Sequence, residues 1–252
     1  MRNEVLYGRQ PVAEAIRAGR RQVLRLYVSP AVRASPEFEG ASGEARRRRV
    51  DIVTVDSRRL DALTGGGHHQ GIAAEVTSYP YFEFDDMRSA LGKLGAEPGL
   101  VLLLDHVQDP QNLGAILRVA EAAGVHGVVI PSDRACHVTP AAVRASAGAA
   151  EHVRVSVVTN LPRSMKSLQD DGLWLAGLES RQEAKSHTET ALDGPLGLVV
   201  GSEGRGLSRL VCESCDFLIR LPMRGHVNSL NVASATAVAL YEILRQRQRP
   251  NQ

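Results

Sequence analysis

The chain has 252 residues, 43% hydrophobic and 23% charged, an ordinary globular balance that excludes wholesale disorder and allows one or two domains. The formal net charge is only +2, yet residues 1–60 hold 13 arginines against seven acidic residues, and the remainder is net acidic. No run of about 18 apolar residues occurs, MRNEVLYGRQ has no apolar stretch of a secretory signal, and three cysteines cannot build a disulfide framework.

A cytoplasmic protein is therefore expected. Of the 30 basic residues, 27 are arginine. Its planar fork suits phosphates and base edges, so a basic amino-terminal module points to nucleic acid; an arginine-rich surface is the plainer reading.

In chain order, PVAEAIRAG predicts an amphipathic helix stopped by Gly19, and residues 23–28 a strand. The run Arg46, Arg47, Arg48 and Arg49 reads as a solvated helix face or a phosphate contact. Residues 51–55 predict a strand, Ser57 caps a short helix through Leu63, residues 64–71 form a glycine-rich loop bearing His68 and His69, and residues 72–76 a strand. Residues 1–78 thus form a small α/β module, and 79–98 a linker with a short helix.

From residue 99 to 252 strands and helices alternate. Strands are expected at 100–104, 127–130, 173–178, 196–200 and 217–221, and helices after Asn112, after Thr139, around 161–169, after Gly206 and from Leu230 to about Arg247. This predicts an α/β fold with a parallel sheet. In such sheets ligands bind beyond the carboxyl ends of the strands, and three of those ends carry unusual loops. The first, LDHVQDPQNLGAILR, holds Asn112 as a helix cap and Arg118 six residues on. The second, VGSEGRGLS, offers Gly201 and two further glycines for close backbone approach, with Glu203 and Arg205 as opposite charges. The third, LPMRGHVNSLN, carries Leu221, Ser229, Leu230 and Asn231 into the last helix. Each loop alone could be only a cap or a turn; three at one sheet edge favour a site. No glycine-rich dinucleotide turn or GKS/GKT phosphate loop occurs, which excludes an ordinary dehydrogenase or triphosphatase.

Other features read as structural. Cys212 and Cys215 lack a second ligand pair and no metal is expected, Trp174 is assigned to the core, and Arg245, Arg247 and Arg249 form a solubilising helix end. From Leu230 to Leu244 the last helix is apolar around most of its circumference. That predicts burial on more than one side and a homodimer, with Ala235 and Ala239 permitting close approach.

DPQNLGAILRVAEAAG, LVVGSEGRGLS and LPMRGHVNSLNVASATAVALYEILRQR resemble, in order, the three signature motifs of the SpoU (TrmH) branch of the SPOUT RNA methyltransferases. VLYGRQPVAEAIR and HQGIAA resemble the substrate-binding domain of its RlmB subgroup. The resemblance implies methyl transfer from S-adenosyl-L-methionine (AdoMet) to a ribose 2′-hydroxyl, most like a guanosine of 23S rRNA or a large-subunit precursor. It also implies a carboxy-terminal trefoil knot and a homodimer. Gly201, Leu221 and Leu230 fall at the cofactor-holding positions; Asn112, Arg118, Glu203, Ser229 and Asn231 fall at the catalytic ones. Arg9, Arg46–Arg49 and His69 are the RNA-contact candidates. Transfer from a sulfonium requires no metal. A tRNA guanosine enzyme, a resistance-type rRNA adenosine enzyme and a non-catalytic RNA-binding assembly factor are the other readings.

Overall fold

A computed structural model describes residues 3–181, 183–226 and 229–248. The chain forms two compact units, residues 1–80 with 138–152, and residues 81–137 with 153–252.

The first unit begins with β1 (Glu4–Tyr7), α1 (Arg9–Ala18), β2 (Val23–Val28), α2 (Pro30–Arg33), α3 (Pro36–Arg47), β3 (Asp51–Thr54), α4 (Ser57–Thr64) and β4 (Ile72–Val76). Its sheet has the order β1-β4-β2-β3, with β3 parallel to β2 and the other pairs antiparallel. Local chemistry sets the boundaries. Gly19 ends α1 in the left-handed region and donates its N–H to the Ala15 carbonyl. The Ser29 hydroxyl accepts from the Val32 N–H, and Pro30 opens α2. Asp56, rather than Ser57, caps α4 by accepting from the Arg59 N–H. Leu6, Val12, Ile16, Leu26 and Ile72 are fully or nearly fully buried, and Leu60 packs in a separate cluster with Tyr27 and Ala73.

The second unit runs through α5 (Phe84–Leu91), β5 (Leu100–Leu104), α6 (Pro110–Ala122) and β6 (Gly127–Pro131). Residues 138–152, with α7 (Pro140–Ala145) and a following 3-10 turn, then pack into the first unit. There the Arg21 and Glu151 side chains, both fully buried, meet at 2.9 Å, and Tyr79 Oη donates to the Ala150 carbonyl at 2.7 Å. The Arg20 and Arg21 guanidiniums lie 5.3 and 5.1 Å from the centre of the Tyr79 ring. Burial pushes the Tyr79 hydroxyl up to about 12 and raises the Glu151 carboxyl.

The chain re-enters the second unit as β7 (Val155–Val158), α8 (Leu161–Asp170), β8 (Trp174–Leu178), β9 (Lys185–Ser186), β10 (Leu196–Val200), α9 (Arg209–Glu213), β11 (Phe217–Arg220) and α10 (Val232–Arg247). The seven strands are parallel in the order β7-β6-β5-β10-β8-β11-β9. The central runs LVLLL and LGLVV are buried throughout, as strands covered on both faces must be.

Several expectations change. β7 and β9 were not expected from sequence: buried Ser156 interrupts the apolar run of β7, and β9 is only two residues long. Trp174, the first residue of β8, is 61% exposed and does not join the core. Ala239 is fully buried within its own unit, where α10 packs on α6, so it offers no outward approach; Ser234, Val238, Tyr241 and Arg245 form the exposed line of α10. Arg247 is not a loose solubilising group, since it donates to the carbonyls of Pro98, Gly99 and Gly194. Arg249 lies outside the described residues.

Candidate active site

All three loops leave the carboxyl ends of parallel strands of one sheet: the first two follow the adjacent β5 and β10, and the third follows β11, one strand further along beyond β8. Hydrogen bonding fixes the first two together: buried Asp105, just after β5, accepts the Ser208 N–H at 2.6 Å and lies 2.5 Å from His106 Nδ1. The second loop doubles back tightly. Gly206 donates its N–H to the Ser202 carbonyl at 3.0 Å, and a Cβ on Gly201 would lie 2.2 Å from the backbone of Gly206. Only glycine fits there.

The first loop departs from expectation in one respect. Asp109 caps α6, accepting from the Gln111 and Asn112 N–H groups, while Asn112 lies inside the first turn. Its side chain is thereby free to point elsewhere. Asn112 Nδ2 donates to Glu203 Oε1 at 3.1 Å, and Asn231 Nδ2 donates to both Glu203 Oε1 at 2.5 Å and Asn112 Oδ1 at 2.9 Å. The Val232 N–H is 3.3 Å from the same carboxylate oxygen. Asn231 caps α10 with its other side-chain atom, through the Ala233 and Ser234 N–H groups. One residue from each loop therefore meets in a single network.

Beside it lies a cavity of about 320 Å³ whose wall includes Glu179, Gly201, Glu203, Gly206, Leu221, Ser229 and Leu230. That is near the lower end of the roughly 300–1,000 Å³ usual for small-ligand sites. The three expected cofactor-holding residues all line it, and Ser229 lies in its wall. Arg118 stands apart: it is exposed on α6 and, among the described residues, has no hydrogen-bond or ion-pair partner. Sequence reasoning missed Asp105 and Glu179. Both are acidic residues immediately beyond a strand's carboxyl end, a position that could have flagged them.

Among the RNA-contact candidates, Arg46 and Arg49 are exposed, whereas Arg47 and Arg48 pair with Glu44 and Arg48 also donates to the Arg17 carbonyl. Arg9 is exposed, and its backbone N–H is held by Gln70. The His69 imidazole is engaged at both nitrogens, by Asp61 and by the Gly71 N–H. Among the described residues no group of three or more His, Cys, Asp or Glu side chains is arranged to hold a metal. No helix there is long and apolar enough to cross a membrane. Burial pushes the Cys215 thiol up to about 12, and Cys212 is buried, in keeping with structural roles.

The pattern of the SpoU rRNA methylase family matches residues 99–241, the stretch that supplies all three loops. The chain belongs to that family. The pattern for RNA 2′-O ribose methyltransferase substrate binding matches residues 5–82. A protein of Staphylococcus haemolyticus named as a TrmH family tRNA/rRNA methyltransferase is 40% identical over 98% of this chain and 97% of its own. The similarly named YacO of Bacillus subtilis is 42% identical over 81% of this chain and 80% of its own. Among solved structures, the SpoU methyltransferase AviRb of Streptomyces viridochromogenes, in complex with AdoMet, superposes with a TM-score of 0.79 at 25% identity, covering 97% of this chain and 90% of its own. The A. aeolicus TrmH/SpoU tRNA modifying enzyme, at 28% identity and a TM-score of 0.55, covers 66% of this chain and 82% of its own. This SpoU chain is an RNA methyltransferase.

Proposed function

We propose that the protein transfers a methyl group from AdoMet to a ribose 2′-hydroxyl of RNA, most like a guanosine in 23S rRNA or a large-subunit precursor, acting in the cytoplasm as a homodimer. The observation that carries this reading is the meeting of Asn112, Glu203 and Asn231 beside the cavity lined by Gly201, Leu221 and Leu230. The cavity fits the cofactor chemically: the glycine loop brings peptide groups to the wall, and Leu221 and Leu230 supply apolar surface for an adenine ring. When bound, AdoMet supplies an electrophilic methyl group on a sulfonium. The reading includes a deep trefoil knot formed by the chain around these loops.

A ribose hydroxyl is a weak nucleophile and needs help to lose its proton. The Arg118 guanidinium remains protonated, so it serves by stabilising developing negative charge on the ribose oxygen or by clamping a neighbouring phosphate. Asn112 and Glu203 position an Arg118 guanidinium or the ribose, and Ser229 and Asn231 orient the third loop. Arg118 acts at the partner subunit's site in this reading, which accords with its exposure and separation from its own network.

The rRNA assignment is supported by the amino-terminal module at residues 5–82, which matches the substrate-binding pattern. The tRNA reading is favoured by the joint tRNA/rRNA naming of the Staphylococcus and Bacillus relatives and by the likeness to the A. aeolicus tRNA modifying enzyme. Labelled methyl incorporation into total RNA, followed by primer extension to map the 2′-O-methyl, tests both. Label in 23S rRNA supports the proposal, label confined to tRNA replaces its substrate, and none overturns it.

A further inference from the structure

Glu179 follows the carboxyl end of β8 and lies in the wall of the cavity. Its Oε1 accepts the Ser180 N–H at 2.9 Å and its Oε2 the Leu207 N–H at 3.0 Å. A Cβ on Gly206 would lie 2.4 Å from Oε2, so the carboxylate is pressed against the glycine loop. Among the described residues no arginine, lysine or histidine forms an ion pair with it. Glu203, the other carboxylate in the wall, has Oε1 engaged by two asparagine amides.

We infer that Glu179 is a positioning and selectivity residue: it holds the glycine loop closed and presents a fixed negative charge that favours the sulfonium of AdoMet over the neutral thioether of S-adenosylhomocysteine. The inference rests on the AdoMet reading of this cavity. Donor and product differ by one unit of positive charge at sulfur; Arg205 also lines the cavity but forms no ion pair with Glu179, so the carboxylate discriminates between them by its field. Its two backbone hydrogen bonds keep that charge in place, with no rotamer search when ligand enters. A residue that only braced the loop would affect both ligands alike.

The test is calorimetric titration of the full chain with AdoMet and S-adenosylhomocysteine, on the unaltered protein, Glu179→Gln and Glu179→Asp. Glu179→Gln should weaken AdoMet about tenfold more than S-adenosylhomocysteine, while Glu179→Asp, which keeps the charge, should retain most of the preference. Equal weakening of both ligands by Glu179→Gln would reduce the residue to a brace and overturn the inference. A second measurement stands even if neither variant folds. The unaltered protein should bind an AdoMet analogue bearing a primary amine in place of the S-methyl group more tightly than S-adenosylhomocysteine, and equal binding overturns the inference. If the unaltered protein bound S-adenosylhomocysteine but not AdoMet, the charge preference alone would fail. Binding of neither would remove the cofactor reading and this inference together.

Discussion

Asn231 Nδ2 lies 2.5 Å from Glu203 Oε1 while the Asn231 Oδ1 atom caps α10, so one amide group joins the site network to the start of the last helix. The two functions separate by substitution. Asn231→Ala should lose about 1 kcal/mol of stability through the cap and lower methyl transfer about 100-fold. Asn231→Asp keeps a good cap but sets a second carboxylate against Glu203, so transfer should fall as far with a smaller loss of stability. Denaturant unfolding and labelled methyl transfer, run on both variants, check this. Full activity in Asn231→Asp would show that the amide donor is dispensable.

Arg118→Ala removes an exposed side chain without a partner among the described residues. Stability should change by no more than about 0.5 kcal/mol. AdoMet binding should be unaltered, and methyl transfer should fall about 100-fold or more. Arg118→Lys should recover little, because a point charge does not replace a planar fork. Parallel calorimetry and methyl-transfer assays decide the matter; an unimpaired rate would remove Arg118 from the mechanism.

The arginine run divides into two pairs. Arg47 and Arg48 are engaged with Glu44, while Arg46 and Arg49 are exposed without side-chain partners among the described residues. Replacing Arg46 and Arg49 with Gln should reduce the salt slope of RNA binding by about 1.5 and leave AdoMet affinity unchanged. Replacing Arg47 alone should have a smaller effect. Filter binding across a salt series checks both, and an unchanged slope in the double variant would make the run ordinary surface.

The proposed homodimer makes opposite demands on two neighbouring positions of α10. Tyr241, 55% exposed, should accept Tyr241→Arg as a folded monomer with little activity. Ala239, fully buried against its own unit, should not; Ala239→Arg should unfold the domain by overpacking and burying a charge. Light scattering and circular dichroism on the two variants distinguish these outcomes. An active monomeric wild type would overturn the dimer.

Most strands were legible because a buried parallel strand such as LVLLL or LGLVV is written as an uninterrupted apolar run. The three loops were legible because they follow such runs directly. Asn112 was misread as a cap because DPQN contains two good cap formers, and the choice of Asp109 depends on backbone geometry beyond composition. Trp174 was misread because apolar character alone does not decide burial: at the first position of β8 it is exposed although it pairs in register with buried Leu196 of β10. Glu179 escaped notice because its importance comes from contact with Leu207, 28 residues away.

The packing of residues 138–152 with residues 1–80 constrains how the chain can be cut or recombined. A fragment trimmed to the carboxy-terminal part alone would retain α7 without the strands and helix it packs on, baring Ala142, Val143 and Ala150 and stranding Glu151 without Arg21. A chimera that exchanged only the first 80 residues with a relative would join two half-cores never fitted to each other. The heritable unit of exchange is discontinuous: the leading segment and this distant insert must travel together.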